Sequence, residues 1–393
     1  MRHNSNRSHS NLRARSDVNH FPWLWNHQRM DVEVTVVVVT WNGAHLLRPC
    51  LDALLSQTLP RTGYEVLLVD NASVDGTAGL VAATWPEVRV QVNDTNLGFA
   101  GGCASALATI TTRWVVLVNN DAVLAPDALE RLIEAARVRP ECAGLTAKVL
   151  LADRFCEVAP GSHGAVLLAD GRSARPLEVD EDPSSALDVL NSTGGQVDVE
   201  GRGRDRGWLA VDDGSDHPSD VFAFCGAAAL LDTAAVRHAR GFDPRYFLYY
   251  EDTDLSWRLR LSGWQLGHVP DAVVRHQHAA SSGEGSALHR FHDDRNRLLT
   301  LVKCAPAALA VRLVLRHLVT VASITRREAP HWPTAGTRLR ALGSFLRLLP
   351  HALRERRAIG RLSVVGRREV ARLLVEPVRA PQRRLREPGR GPT

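Results

Sequence analysis

The chain has 393 residues, 45% of them hydrophobic and 23% charged, an ordinary globular composition long enough for one large domain with an appendage or two smaller ones. Its 48 Lys and Arg stand against 43 Asp and Glu, for a net charge of +5, so overall charge alone marks no class of partner. The six cysteines (50, 103, 142, 156, 225 and 304) lie in apolar segments without a C-x-x-C pair, which excludes a zinc knuckle and a disulfide framework and suits buried thiols in a reducing compartment.

Met1 to Met30 is polar and rich in Asn, Ser, Arg and His, with no apolar core segment of the secretory kind. Residues 1–31 are therefore expected to be disordered or an over-extended start, with Met30 as an alternative initiator. Val32 to Thr40 is β-branched almost throughout, the pattern of a strand buried on both faces. It ends in Trp41-Asn42-Gly43, and Leu46, Leu47, Cys50, Leu51, Leu54 and Leu55 then recur at helical spacing. The pattern repeats: Glu65–Asp70 is a second strand ending in an acid, and Asn71 to Thr77 caps the next helix. Val88–Val92 is a third strand, and Asn96-Leu-Gly98 leads into a helix of small residues. Trp114–Val118 is a fourth strand, running into Asn119-Asn120-Asp121, with Pro126 opening another helix. Alternation at this spacing predicts an open, mostly parallel α/β sheet. Ligands bind such sheets outside the carboxyl ends of the strands, where Thr40, Trp41, Asn42, Asp70, Asn71, Asn119 and Asp121 gather.

Between Leu151 and Asp220 periodicity fades into Gly, Asp, Arg and Ser, which predicts a long excursion with short strands on the acceptor side. Val221–Leu231 reads as a buried strand whose Gly226 permits close backbone approach. The stretch Glu251-Asp252-x-Asp254 opens a helix, where three carboxylates are stabilised by the free N–H groups and the macrodipole. Helix capping accounts for them on local grounds. Gln265–Val269 and Ala272–Arg275 read as edge strands, followed by His276-Gln277-His278. Helices are expected around Leu288–Lys303, Ala307–Thr325, Thr337–Leu349 and Gly366–Leu374, broken at Pro306, Pro330, Pro333 and Pro350. Leu298–Ile324 comes closest to a membrane span, but Lys303, Arg312, Arg316 and His317 interrupt it and no spanning helix is predicted. Residues 351–393 carry twelve Arg against four Glu. The expected organisation is thus 1–31, a sheet domain over 32–285, and a helical, Arg-rich region over 286–393.

Asn119-x-Asp121 at a strand end offers one carboxylate and one amide oxygen, hard ligands that suit Mg²⁺ or Mn²⁺ beside a substrate phosphate; a strand-to-helix turn would favour the same residues. Taken together, Val-Val-Val-Thr40-Trp41-Asn42, Val-Asp70-Asn71-Ala-Ser73, Asn96-Leu-Gly98-Phe-Ala-Gly101-Gly102, Leu-Val-Asn119-Asn120-Asp121, Cys225-Gly226-Ala and Gly241-Phe-Asp243 through Tyr250-Glu-Asp252-x-Asp254 occur in an order that resembles family 2 glycosyltransferases, bacterial rhamnosyltransferase-like members in particular, over about residues 33–280. The resemblance implies a GT-A fold, a Rossmann-like mixed sheet with a C-terminal helical appendage, and inverting transfer of a sugar, rhamnose on dTDP being the leading expectation, from a nucleotide diphosphate donor (dTDP- or UDP-sugar) to a glycan or lipid-linked acceptor in cell-wall or surface polysaccharide synthesis.

By the same resemblance Asp252 is the general base with Glu251 beside it, and Asp254 is structural. Asp121, Asn119 and His276 hold the metal, with His278 as an alternative. Thr40, Trp41, Asn42, Asp70, Asn71, Asn96, Gly98 and Asn120 surround the nucleotide sugar. Cys225, Gly226, Arg295 and Asn296 lie on the acceptor side. The Arg-rich helices with their Leu stripes suit an anionic membrane surface, which places the chain in the cytoplasm or on the inner face of the cell membrane; a solvated or oligomer-forming face is the alternative. No aromatic interleaving or recognition motif supports nucleic-acid binding. The rival readings are a nucleotidyltransferase on the same fold and a non-catalytic nucleotide-sugar-binding module. A dehydrogenase fails because glycines 98, 101 and 102 come too late for a first-turn fingerprint.

Overall fold

The computed structural model describes residues 32–214, 219–277, 286–328 and 334–377. All seven residues of β1 (Val34–Thr40) are β-branched and buried, because a strand covered on both faces needs stiff apolar side chains in each direction. The first half of the chain alternates β1, α1 (Leu47–Leu55), β2 (Tyr64–Asp70), α2 (Thr77–Thr84), β3 (Arg89–Val92), α3 (Gly98–Thr109), β4 (Trp114–Asn119), β5 (Ala122–Leu124), α4 (Ala128–Val138) and β6 (Cys142–Leu151). Short strands fill the excursion: β7 (Phe155–Val158), β8 (Val166–Leu167), β9 (Ser173–Pro176), β10 (Leu190–Ser192), β11 (Gly195–Val197) and β12 (Gly203–Asp205). There follow β13 (Ala228–Asp232), α5 (Thr233–His238), α6 (Glu251–Leu261), β14 (Gln265–His276), α7 (Ala287–Cys304), α8 (Ala307–Glu328), α9 (Ala335–Leu362) and α10 (Arg367–Val370).

The large sheet runs β3-β2-β1-β4-β13-β6-β14-β5, with β10 on β6. The strands β1 to β4 are mutually parallel, and their register aligns Thr40 with Asp70 and Val39 with Asn119. Parallel register therefore brings the polar strand ends to one edge. The single strand β13 then lies antiparallel to both β4 and β6, which makes the sheet mixed. One face packs under α1, α2 and α4 through Val34, Val36, Val38, Leu47, Val81 and Leu129; the other packs under α3, α5 and α6 through Val37, Val39, Cys103, Val236 and Leu255.

Three expectations are corrected. Gln265–His276 is one strand, interior between β6 and β5 rather than a pair of edge strands; a register shift between Val269 and Val273 absorbs Pro270. The expected strand Val221–Leu231 is a strand only from Ala228, because Val221–Phe224 pack on Leu266, Gly195 and α6 as an irregular segment. Helix α9 passes through Pro350 instead of stopping there, held on both sides by buried Phe345, Ala352 and Ile359. Pro330 and Pro333 lie outside the described residues. Helix α8 is long and apolar enough to cross a membrane by length and composition, despite its Arg residues.

The helices after Ser286 share cores with the sheet domain. Trp257 and Leu261 of α6 pack with Leu301, Cys304, Leu313 and Ile359, and Tyr246 and Tyr250 pack with Leu298, Leu299 and Phe345. At the centre lies Asp254, fully buried, with Lys303 Nζ 2.9 Å from Oδ1, Arg258 Nη2 2.7 Å from Oδ2 and the Tyr246 hydroxyl donating to Oδ1 at 3.0 Å. A buried carboxylate is tolerated only with such partners. Replacing Asp254 by Asn strands Arg258, leaves Lys303 with Asp243 alone, and is expected to lower unfolding free energy by about 3 kcal/mol. Urea denaturation should show that loss while the folded fraction keeps its turnover within a few-fold; the reverse pattern would overturn the structural role.

Candidate active site

The donor side is built from the ends of β1, β2 and β4. Thr40 and Asp70 are buried, and Asn120 Nδ2 donates to Thr40 Oγ1 at 3.0 Å. Asp70 Oδ1 accepts from the Ser73 N–H at 3.0 Å and its hydroxyl at 2.5 Å. Asn42, in the left-handed region at φ 50°, accepts from the Val74 N–H at 2.8 Å, and its own N–H donates to Ser73 Oγ at 2.8 Å. Asn71 donates to the Gly98 carbonyl and accepts from Asn93, at 3.0 and 2.8 Å. Trp41 stands 54% exposed beside them, a large apolar ring open to a ligand. Asn96 accepts from the Gly98 N–H at 2.9 Å, turning the chain into α3. Gly98 itself, at φ +68°, packs on the Phe247 carbonyl so closely that a Cβ would collide with it. Its place is under the 244–250 loop, and it touches that loop rather than open space.

The reacting side gathers around the start of β13. The Asn119 N–H donates to the Ala227 carbonyl at 3.0 Å, so the end of β4 abuts Cys225-Gly226-Ala227. Gly226 in turn lies against Asp252, and the Thr253 N–H donates to Asp252 Oδ1 at 2.5 Å. A Cβ on Gly226 would lie 3.9 Å from Asp252 Oδ2. Glu251 is buried beside Asp252, and its Oε2 has no hydrogen-bond partner among the described residues. Burial drives the Glu251 carboxyl well above the ordinary range, with the Asp252 charge adding to it; burial likewise raises Asp252, against hydrogen bonds from Thr253 and Gly226. These are the conditions in which a carboxylate is basic enough to take a hydroxyl proton.

Asp121 and His276 meet between β4 and β14, with Nε2 3.1 Å from Asp121 Oδ1 and 3.1 Å from Asn119 Nδ2. Asn191 Oδ1 lies 2.7 Å from His276 Nδ1, an acceptor that places the ring proton on Nδ1 and turns the Nε2 lone pair toward Asp121. Two acceptors about 3 Å apart are neighbours as ligands of one cation, and the Asn119 amide offers its oxygen there on a half-turn. The set fits a hard divalent ion that takes its remaining ligands from phosphate and water. No cluster of three His, Cys, Asp or Glu side chains with metal-holding spacing occurs among the described residues. His278 lies outside the described residues.

Arg295 and Asn296 turn their donors onto the backbone of the 245–249 loop. Arg295 Nη2 donates to the carbonyls of Arg245 and Tyr246, and Asn296 Nδ2 lies within 3.0 Å of those of Tyr246, Leu248 and Tyr249. They shape the loop that precedes Glu251. Sequence reading missed Asn191. Its segment has no periodicity or motif, and the only signal is polar residues between the apolar Val189-Leu190 and the Gly-rich stretch that follows.

The model of glycosyl transferase family 2 matches residues 35–149. The chain carries a family 2 glycosyltransferase domain. It is 29% identical over 313 residues to the N-acetylglucosaminyl-diphospho-decaprenol L-rhamnosyltransferase of Mycobacterium tuberculosis (strain H37Rv), across 75% of this chain and 94% of that one. It is 34% identical over 105 residues to the succinoglycan biosynthesis protein ExoO of Rhizobium meliloti (strain 1021), across 26% and 30% of the two chains. The structure of GalNAc-T7 with UDP, GalNAc and Mn²⁺ superposes with a TM-score of 0.52 at 13% identity, covering 81% of this chain and 57% of that one. The fold is that of the GT-A glycosyltransferases, as the order of motifs implied.

Protonation of these buried carboxyls has a stability consequence. A carboxyl raised in the fold contributes stability below its unfolded value that is lost as pH rises through the raised value. Glu251→Gln removes that loss, so the stability of the variant relative to wild type should grow as pH rises above the ordinary carboxylate range toward the raised value, by on the order of 1 kcal/mol for each pH step of one. Scanning calorimetry across that range checks it; a difference independent of pH rejects the buried-charge account.

Proposed function

We propose that the chain is an inverting, divalent-metal-dependent transferase that moves a deoxyhexose such as rhamnose from a nucleotide diphosphate to a lipid-linked sugar in cell-wall or surface polysaccharide assembly. The observation that carries this reading is the meeting of Asp252, Gly226 and the Asn119/Asp121/His276 set around the Ala227 peptide. The similarity to a rhamnosyltransferase with a diphospho-decaprenol acceptor, over most of both chains, supports the sugar and acceptor class.

In this mechanism Asp70 Oδ2, left over from the Ser73 contacts, accepts the pyrimidine N3–H, and Trp41 and Asn42 flank the nucleoside. Asp252 takes the proton of the attacking acceptor hydroxyl as that oxygen bonds the anomeric carbon and the nucleoside diphosphate leaves from the opposite face. Burial and the Asp252 charge keep the Glu251 carboxyl protonated, which leaves the charge of the pair on Asp252. Asp121, His276 and Asn119 would hold Mg²⁺ or Mn²⁺, which when bound neutralises charge developing on the leaving diphosphate. Helix α8 turns Ala310, Leu313, His317 and Val321 inward and exposes Val311, Leu315, Leu318 and Val319. That apolar strip, with Arg312 and Arg316 on its flanks, rests on the anionic bilayer surface that carries the acceptor lipid.

Asp252→Asn is expected to lower kcat by about 10²–10⁴ while dTDP-rhamnose binding, measured by calorimetry, stays within two-fold. A wild-type protein that binds none of the dTDP-, UDP- and GDP-sugars with Mg²⁺ or Mn²⁺ sinks the transferase reading. Asn191→Ala releases the His276 ring and should weaken Mn²⁺ binding in the presence of nucleotide about 10–100-fold; unchanged affinity removes His276 from the metal set.

A further inference from the structure

Helices α7, α8 and α9 meet the turn between β11 and β12 around a cavity of about 330 Å³. Four guanidiniums line it, those of Arg202 in the turn, Arg297 on α7, Arg316 on α8 and Arg338 on α9. Three carboxyls oppose them. Buried Asp294 takes Arg338 at 3.2 Å, and Glu200 takes Arg316 at 2.7 Å and Arg202 at 3.4 Å. Burial raises the third, Asp293, above the ordinary carboxylate range. The balance is positive, and the side chains of Arg202 and Arg316, more than half exposed, can turn from Glu200 to a ligand.

A buried histidine identifies what this space accepts. His317 lines the cavity and is 4% exposed. Arg297 Nη2 lies 3.1 Å from its Nδ1, and because a guanidinium only donates, Nδ1 is the acceptor in that contact. Burial lowers the pKa of the ring against the pull of Asp294, with Arg297 and Arg338 adding to the lowering. The ring is therefore neutral and its one proton sits on Nε2, which has no hydrogen-bond partner among the described residues. A buried N–H left without an acceptor costs free energy. An anion with several oxygens satisfies that N–H and the guanidiniums together, through charge-assisted hydrogen bonds.

One wall of the cavity is tied to the base. The turn that bears Arg202 runs into Gly203, whose N–H donates to the Tyr250 hydroxyl at 2.9 Å and whose Cβ position lies 3.3 Å from Thr253 Oγ1. Tyr250 and Thr253 bracket Glu251 and Asp252. Arg316, on the opposite wall, stands on the flank of the exposed apolar strip of α8.

We infer that this cleft binds the oxygens of a phosphate or diphosphate group, held by Arg202, Arg297, Arg316 and the Nε2–H of His317. On the transferase reading above, the diphosphate of the lipid-linked acceptor supplies that group, and this choice of source rests on that reading. A free anion is the other source, and the experiment separates the two.

The test uses the full chain. Calorimetry with inorganic pyrophosphate, in EDTA so that no metal bridges the anion to Asp121 and His276, reads the cleft directly. Arg202→Gln/Arg316→Gln should weaken that binding about 10–100-fold, the factor for a hydrogen bond to a charged group. Glu200→Gln removes the carboxylate that competes for both guanidiniums and should tighten it several-fold, a gain that neither misfolding nor a purely structural ion-pair network yields. With dTDP-rhamnose and a short-chain N-acetylglucosaminyl diphospho-lipid, the arginine pair variant should raise acceptor KM by a like factor while donor KM and donor hydrolysis by water stay unchanged. Acceptor KM that holds while pyrophosphate binding is lost assigns the cleft to a free anion instead. A wild type that binds no pyrophosphate, or variants that bind it as the wild type does, overturns the inference. Failure of the wild type to bind the donor or to transfer, with pyrophosphate binding still set by Arg202 and Arg316, overturns the transferase reading and leaves the anion site standing.

Discussion

The buried carboxylate of Asp254 is the constraint on which the rest of this protein depends. Its oxygens are divided among Lys303 of α7, Arg258 of its own helix and the hydroxyl of Tyr246, and Lys303 reaches Asp243 as well, at 3.1 Å. Desolvating these charges is costly, and only simultaneous pairing makes the arrangement stable. The cluster therefore fixes α6, α7 and the 243–250 loop as one body, and α6 is the helix that starts with the reacting carboxylates.

That loop carries backbone strain close to the chemistry. Phe247, Tyr249 and Tyr250 all sit at φ between 64° and 68°, a region that costs non-glycine residues of order 1 kcal/mol or more each. The donors of Arg295 and Asn296 hold its carbonyls, and Gly98 lets α3 approach it without a side chain in between. Donor-side helix, loop and base are thereby mechanically linked. The raised carboxyls of Glu251 and Asp252 add an electrostatic cost at the same point, which the surrounding packing offsets. A site of this kind is destabilising by itself and stands because the appended helices share its core.

Much of this was legible in the chain. The run from Val34 to Thr40 could only be a strand covered on both faces, and parallel alternation put Thr40, Asp70 and Asn119 at one edge, because register follows from burying every residue. The carboxylate stretch announced a helix start through local chemistry alone. Other elements were hidden for a physical reason. Pro350 was given its local meaning as a helix stop, while packing on both sides overrode it. Asn191, Ser192 and Asp205 lie in a segment whose short strands are stabilised by distant partners, β6 and Ala223, rather than by their own periodicity.

The sequence by itself determined the alternating sheet, the polar strand ends and the residue types of the reacting groups, since these follow from side-chain shape, propensity and neighbours within a few positions. Tertiary structure decided which of them meet. Asp254 became a scaffold because Lys303, far along the chain, reaches it, while Asp252 stands apart from that cluster, against Gly226. His276 faces Asp121 because β14 lies inside the sheet, and the hairpin of β11 and β12 folds back against Ala223. Burial and long-range pairing are properties of the assembled chain, and no local pattern encodes them.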